Sequence, residues 1–578
     1  MTRGSATRVT RRSLLKTTML GVGGLAIAAL AGCQGAPAAS PTATSAPKPA
    51  ATTAPPAATQ APAAKPAETA APQVTAKKGG KFIFVEASEP PTLDLQKTNV
   101  STADVFGSHI IETLVWHNPE SGAYEPFLAT GWETTPDGLT WTFKLRQDVV
   151  FHDGTPLDAK AVKRSLERMV DPKTASLRAA TLLGDKRLKS VEAADQYTVK
   201  LAYTQPFGPL LSGLANGFCG IISPAALDKY GDDIGNNPVG SGPFRFKEWV
   251  KGQGVVGVPF EKYNWAPKAW GRQGPPLVDE FRWRGIAENT TRIVALERDE
   301  AQMVRLPYPD YKRIKDAGYP IVQLNNPGTG QSIFMNVTKA PMDDKKVRLA
   351  VAYAVDRDAM IKAPFLGGAT WPEYAPLTQG VLGYDPDLAK RVGVLFDLNK
   401  SKALLDEAGW KLGADGIRAK DGQKLVLSQV VNTGMKDQSE VLQALLKVVG
   451  IQVDIKTLDV AARLEATGKG EHHLTWNADT HNDPDILYLQ FHSSAIGSLN
   501  FPHVNNKELD DLLDKGRTTV DLNQRKQIYQ KVQEIVLSEA YIVPVYNSAR
   551  VFALQKYVKG VMFNDRAGVV AYGVWLDK

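Results

Sequence analysis

The chain has 578 residues, 43 % hydrophobic and 22 % charged, the proportions of an ordinary globular protein. Its formal charge of +7 comes mostly from one end: Arg3, Arg8, Arg11, Arg12 and Lys16 precede any acidic residue, and the chain beyond them carries only +2. That near-neutral remainder excludes the broad basic surface that nucleic acid requires.

In the first 33 residues the basic stretch is followed by an apolar run from Met19 to Ala31 and then by small residues. A positive start, a short apolar segment and a small-residue exit make an export signal. The run is too short to span a bilayer, which takes roughly 20 apolar residues. Thr10-Arg11-Arg12-Ser13-Leu14-Leu15-Lys16 resembles the twin-arginine address, with Arg11 and Arg12 as its pair. Leu30-Ala31-Gly32-Cys33 resembles the bacterial lipobox, which implies lipidation of Cys33 and a mature chain that begins there. The expected location is extracytoplasmic, with a lipid anchor on the outer face of the cytoplasmic membrane or in the periplasm. A Sec signal that happens to end in cysteine is the alternative.

Residues 33–79 come next as lipid attachment point and linker, almost wholly Ala, Pro, Thr, Ser and Gln. Such a segment has too little apolar surface to offset the entropy of ordering. At ~3 Å per residue, a Pro-rich spacer of this length reaches on the order of 100 Å.

From residue 81 onward, strand and helix patterns alternate. Strands are expected at 81–87, 140–146, 244–250, 280–286, 425–431 and 451–458, from period-2 alternation or β-rich runs. Helices are expected at 159–169, from Asp397 as cap to a stop at Gly409, at 439–449 before Gly450, and at 521–540. In the last of these, Ile528, Val532, Ile535 and Val536 form one apolar stripe. Helix followed by strand predicts α/β layering, and about 500 residues exceed what one core supports. No internal repeat of fixed period is present.

Motifs for catalysis are lacking: there is no HExxH, GxSxG or GxxxxGK[ST]. One GxGxxG occurs at Gly252–Gly257, but Pro259 and Pro267 interrupt the segment after it, so a hairpin is expected rather than a dinucleotide loop. Five of the eight histidines, His472, His473, His481, His492 and His503, lie close in sequence. Their spacing fits no helical ligand pair and no cysteine joins them, so no metal site is assigned. Asp483-Pro484-Asp485 reads as a capped turn rather than an acid–base pair. Cys219, beside Phe218, Ile221 and Ile222, reads as a buried small hydrophobe. Neither an enzyme nor a cofactor is expected.

Several ordered blocks resemble the family 5 extracytoplasmic solute-binding proteins, the dipeptide-, oligopeptide- and nickel-binding subunits of ABC importers. They are Leu139–Arg146 with Phe151–Pro156, Pro238–Phe246, Met335–Asp344 leading to Ala354–Arg357, Ala403–Trp410, and Tyr541–Tyr546. The resemblance implies a two-lobed periplasmic-binding-protein clamshell, type II-like and α/β, with an additional small domain. By it, lobe I takes 81–115, 236–330 and 549–578, the extra domain takes 116–235, and lobe II takes 331–548. Trp476-Asn477-Ala478-Asp479 is similar to the family's Trp-x-Ala-Asp stretch, in which the Trp lines the cleft and the Asp pairs with a peptide's amino terminus.

Five positions separate Asp479 from Pro484, where peptide binders usually have four. Asp479 and Asp483 are therefore both left as amine partners, with His481 between them. The expected ligand is a short peptide, delivered by a monomer to ABC permease subunits. An oligosaccharide held on tryptophan faces, a nickel chelate held by histidines near His481, and a peptide sensor or chaperone without transport are the alternatives.

Overall fold

The computed structural model describes residues 76–176, 178–365 and 370–578. Arg11, Arg12, Cys33 and the linker therefore lie outside the described residues. None of the described helices is long and apolar enough to cross a membrane.

Two large sheets organise the fold. The first has seven strands in the order Ile321–Leu324, Arg550–Leu554, Met303–Arg305, Lys81–Glu86, Glu280–Gly285, Gly254–Pro259 and Phe244–Val250. Its central strand, Lys81–Glu86, pairs in parallel with both neighbours. Both faces are buried, and the alternation of side chains shows which residue serves which face. Phe82, Phe84, Phe281, Trp283, Met303 and Phe552 enter one core. Val85, Val304, Val551 and Ala553 enter the other, with Ile293 and Leu296 of the helix Asn289–Glu297.

The second sheet has six strands in the order Thr370–Pro372, Ile542–Ser548, Gly328–Met335, Leu474–Thr480, Val426–Asn432 and Gln452–Leu458. It too is covered on both faces. Ile333, Met335, Val543 and Val545 point into one core, while Phe334 and Ile542 point into the other. Val532, Ile535 and Val536 of the helix Leu522–Ser538 fill the second of these.

A third, four-stranded antiparallel sheet runs Ala129–Thr134, Thr140–Leu145, Thr198–Tyr203, Leu188–Asp195. Trp141, Phe143 and Leu145 bury one face of it against the helix Ala159–Val170, in the core that the first large sheet also uses. The fold is thus the two-lobed α/β clamshell with an added domain that the sequence blocks imply.

The chain passes between the two large sheets at two adjacent places. Residues 325–327 connect Ile321–Leu324 to Gly328–Met335, and Ala549 connects Ile542–Ser548 to Arg550–Leu554. Asn547 Nδ2 donates to the Asn326 carbonyl at 3.1 Å, which ties the two crossings together. The GxGxxG segment forms the expected hairpin, with Gly252 and Gly254 at positive φ and flanking strands paired antiparallel.

Candidate functional site

The candidate residues lie at the end of the strand Leu474–Thr480 and on the loop behind it. This strand pairs antiparallel with Gly328–Met335, and a bulge between Thr329 and Ser332 shifts the register beside Asp479. The approach there is tight: a Cβ on Gly328, whose φ is +131°, would lie 1.9 Å from the Asp479 carbonyl oxygen. Asp479 is half-buried, and its Oδ2 accepts hydrogen bonds from Asn477 Nδ2 and Gln490 Nε2, both at 2.8 Å. Its backbone N–H donates to Thr329 Oγ1 at 3.0 Å. Asp479 Oδ1 has no hydrogen bond from any described residue, so a rigidly held carboxylate presents one free oxygen.

Trp476 is a core residue, 2 % exposed, with its indole N–H donating to Ser439 Oγ at 3.1 Å. Its ring stands 6.5 Å from that of Tyr546. His481 turns back onto its own loop, with Nδ1 3.0 Å from the Asp483 carbonyl. Burial holds this imidazole below its ordinary pKa, so it is neutral at pH 7.

Asp483 corrects the expectation that either carboxylate serves as amine partner. Its two oxygens accept from Arg525 Nη1 and Nη2, each at 2.6 Å, in a pair with both side chains fully buried. Burial alone would raise the Asp483 pKa, but the guanidinium overcomes it and the carboxyl stays below its ordinary value. Asp485 is engaged likewise by Arg517, at 2.9 and 2.7 Å, and by the Tyr529 hydroxyl at 3.2 Å. Asp483-Pro484-Asp485 is therefore an anchor for the helices behind the loop as well as a turn.

The histidines do not converge. His472, His473 and His503 each contact a backbone carbonyl, of Phe501, Ala340 and Thr467, at 2.9 Å. His492 stacks on Tyr488, with ring centroids 4.2 Å apart.

Several cleft residues carry no motif in the sequence. Arg178 Nη2 reaches across to the Thr480 carbonyl at 3.4 Å, and the charge of Asp479 acts on it. Burial, and then Arg566, lowers the Arg178 pKa to about 10. Arg178 and Arg566 lie over the same Phe218 ring at 5.4 and 5.2 Å. Arg566 pairs with Asp104 at 2.8 Å and donates to Asn216 Oδ1 at 2.6 Å. Asn482 donates to Asp565, which also contacts His117 Nδ1 at 2.7 Å. Through that contact the longer loop between Asp479 and Pro484 reaches the C-terminal segment.

A cavity of about 550 Å³ opens beside the chain crossing, lined by Trp116, His117, Trp270, Asn325, Gln379 and Phe563 among others. That volume is within the range of small-ligand pockets. None of Trp476, Asn477, Asp479, His481 and Asp483 lines it. A smaller cavity of about 40 Å³ shares Trp116, Trp270 and Asp565 with it and reaches Asp104 and Arg566.

Known proteins match this architecture. The glutathione-binding protein GsiB of Escherichia coli strain K12 is 32 % identical over 453 residues, covering 75 % of this chain and 82 % of that one. The structure of periplasmic binding protein DppA from Helicobacter pylori, in complex with the peptide STSA, superposes with a TM-score of 0.66 at 26 % identity. It covers 87 % of this chain and 99 % of that one. HbpA2 from Haemophilus parasuis superposes with a TM-score of 0.76 at 26 % identity, covering 86 % and 100 %. The family model for bacterial extracellular solute-binding proteins, family 5, matches residues 123–498. The chain belongs to the bacterial extracellular solute-binding proteins of family 5.

Proposed function

We propose that this protein captures a short peptide between its lobes and delivers it to the permease subunits of an ABC importer, working as a monomer. Lobe I comprises 81–115, 236–330 and 549–578, the extra domain 116–235, and lobe II 331–548. Asp479 is the partner of the peptide's amino group. The observation that carries this reading is the state of its carboxylate: Asn477 and Gln490 fix one oxygen, and the other is free to accept from an ammonium. A charge-assisted hydrogen bond of this kind is among the strong ones. The relatives named for glutathione binding and solved with a bound peptide support the same ligand class.

Export through the Arg11-Arg12 signal and lipidation at Cys33 put the protein at the outer face of the membrane, where the permease is. The engagement of Asp483 with Arg525, and of His481 with its own loop, weighs against the nickel-chelate alternative and leaves Asp479 as the amine partner.

The test is mass spectrometry of ligand released from protein purified without refolding, followed by calorimetry with the recovered species. Copurified peptides, bound at least 10-fold more weakly by Asp479→Ala, are the expected result. Release of sugars or metal chelates alone would sink the proposal.

A further inference from the structure

Two arginines at the cleft end of the seven-stranded sheet have no counter-ion of their own among the described residues. Arg305 closes the strand Met303–Arg305, and Arg550 opens the strand Arg550–Leu554. Arg305 is in register with Phe552, two positions from Arg550. Met303 and Phe552 enter the same core while Val304 and Val551 enter the other, so the pleat puts Arg305 and Arg550 on one face, diagonal to each other. Both are half-buried, and neither makes a side-chain hydrogen bond or ion pair with any described residue. The Arg305 guanidinium lies 5.4 Å from the centroid of the Phe552 ring.

The neighbourhood is short of negative charge. Arg550 is lowered to about 10 by burial and then by Arg305, and the acids whose charge reaches it are Glu86 and Asp104. Asp104 is already paired with Arg566. Glu86 follows Val85, which is in register with Val304, so it stands beside Arg305. Its Oε2 is buried without a hydrogen-bond partner. One carboxylate thus faces two guanidinium groups. Half-buried charges of one sign are costly unless something pairs with them.

The surroundings are built rather than loose. The Tyr308 hydroxyl donates to the Ala549 carbonyl at 2.5 Å, fixing the segment after Arg305 to the residue before Arg550. From Tyr308 an aromatic wall runs through Phe365 at 5.3 Å and Tyr546 at 5.0 Å toward Trp476, beside the Asp479 strand end. The arginines and Asp479 therefore lie at the two ends of one aromatic wall, at the chain crossing.

We infer that Arg305 and Arg550 form a carboxylate-binding subsite of this cleft, gripping the anionic end of a ligand whose other end meets Asp479. The planar guanidinium fork suits a carboxylate, in either of two forms: a peptide's C-terminus or an acidic side chain. The choice of peptide probes rests on the proposed peptide function; the subsite itself does not.

The experiment is calorimetry on the mature chain with Ala-Ala-Ala, its C-terminal amide, Ala-Glu-Ala amide and glutarate, for wild type, Arg305→Gln and Arg550→Gln. Wild type is expected to bind Ala-Ala-Ala or Ala-Glu-Ala amide at least 10-fold more tightly than Ala-Ala-Ala amide. Preference for the first identifies the terminal carboxylate, and for the second the side chain. Each arginine substitution should remove most of that preference while leaving the amide's affinity unchanged. Without ligand, Arg550→Gln should melt at or above the wild-type temperature, because it removes an unpaired charge; a large fall would mark a structural role and overturn the inference. Peptide binding that depends on Asp479 but ignores amidation and both substitutions also overturns it, and spares the peptide reading. Glutarate binding that is lost in Arg550→Gln, with no peptide bound, upholds the subsite and sinks the peptide reading. A wild type that takes none of the four probes at millimolar concentration overturns the inference.

Discussion

Arg525 grips Asp483 through two N–H···O contacts of 2.6 Å, with the side chains only 1 % and 2 % exposed. Removing one partner leaves the other as an uncompensated buried charge, which costs about 3–5 kcal/mol. Asp483→Asn should therefore lower stability by that order in urea denaturation. The folded carboxyl is held below its ordinary pKa, so the pair's contribution is present above the ordinary Asp value and is lost only as pH falls through the folded one. A drop in ligand affinity with unchanged stability would instead make Asp483 a ligand contact.

Glu112 gives the opposite sign. It is fully buried, and burial pushes its pKa to about 7 despite hydrogen bonds from Trp265, Tyr263 and Ser241. A carboxyl raised on folding stabilises fully below its unfolded pKa of 4.5, and that contribution is lost as pH rises toward 7. The loss is on the order of 3 kcal/mol. Glu112→Gln should flatten the stability profile between those two pH values. A slope identical to wild type would show that Glu112 stays ionised throughout.

Gly328 is the third test. Alanine there puts a Cβ 1.9 Å from the Asp479 carbonyl and forces a φ of +131° on an L-residue. Gly328→Ala should cost roughly 1–3 kcal/mol of stability, the range for backbone held in a sparsely populated region. It should also displace Asp479 and weaken ligand binding. Gly122, also at positive φ but with nothing within 4 Å of a Cβ, is the control for φ strain alone.

Cys33→Ser tests the proposed anchor. Fractionated cells should show the variant shifted from membrane to soluble fraction, with ligand affinity unchanged because residue 33 lies far in sequence from the cleft. Retention in the membrane fraction would remove the lipid from the account.

The strands were readable where alternation was clean: Phe244–Val250 begins and ends where the pattern does, and Lys81–Glu86 and Thr140–Leu145 are each one residue shorter than expected. The helix expected from Ser439 starts instead at Lys436. Ser439 is no cap, because its hydroxyl donates to the Met435 carbonyl one turn back, at 2.7 Å. At the site, the sequence blocks pointed to Trp476 through Asp483 but offered no way to choose between Asp479 and Asp483. That choice rests on Arg525, 42 positions away from Asp483.

Arg178, Arg305, Arg550 and Arg566 were not visible as a group, since they lie on four separate segments and each reads alone as a surface charge. The signal that was present was local. Arg305 and Arg550 each break an apolar alternation at the end of a strand, next to where the chain leaves the sheet.

The order of the seven-stranded sheet bears on how the protein is made. Arg550–Leu554 is hydrogen-bonded on both sides, between Met303–Arg305 and Ile321–Leu324, and the latter pairs with no other described strand. A nascent chain that has not yet delivered this strand leaves two strand edges open, the kind of surface that recruits foreign strands. Assembly of this lobe must wait for the end of synthesis, and a C-terminal truncation should produce aggregation rather than a weaker binder.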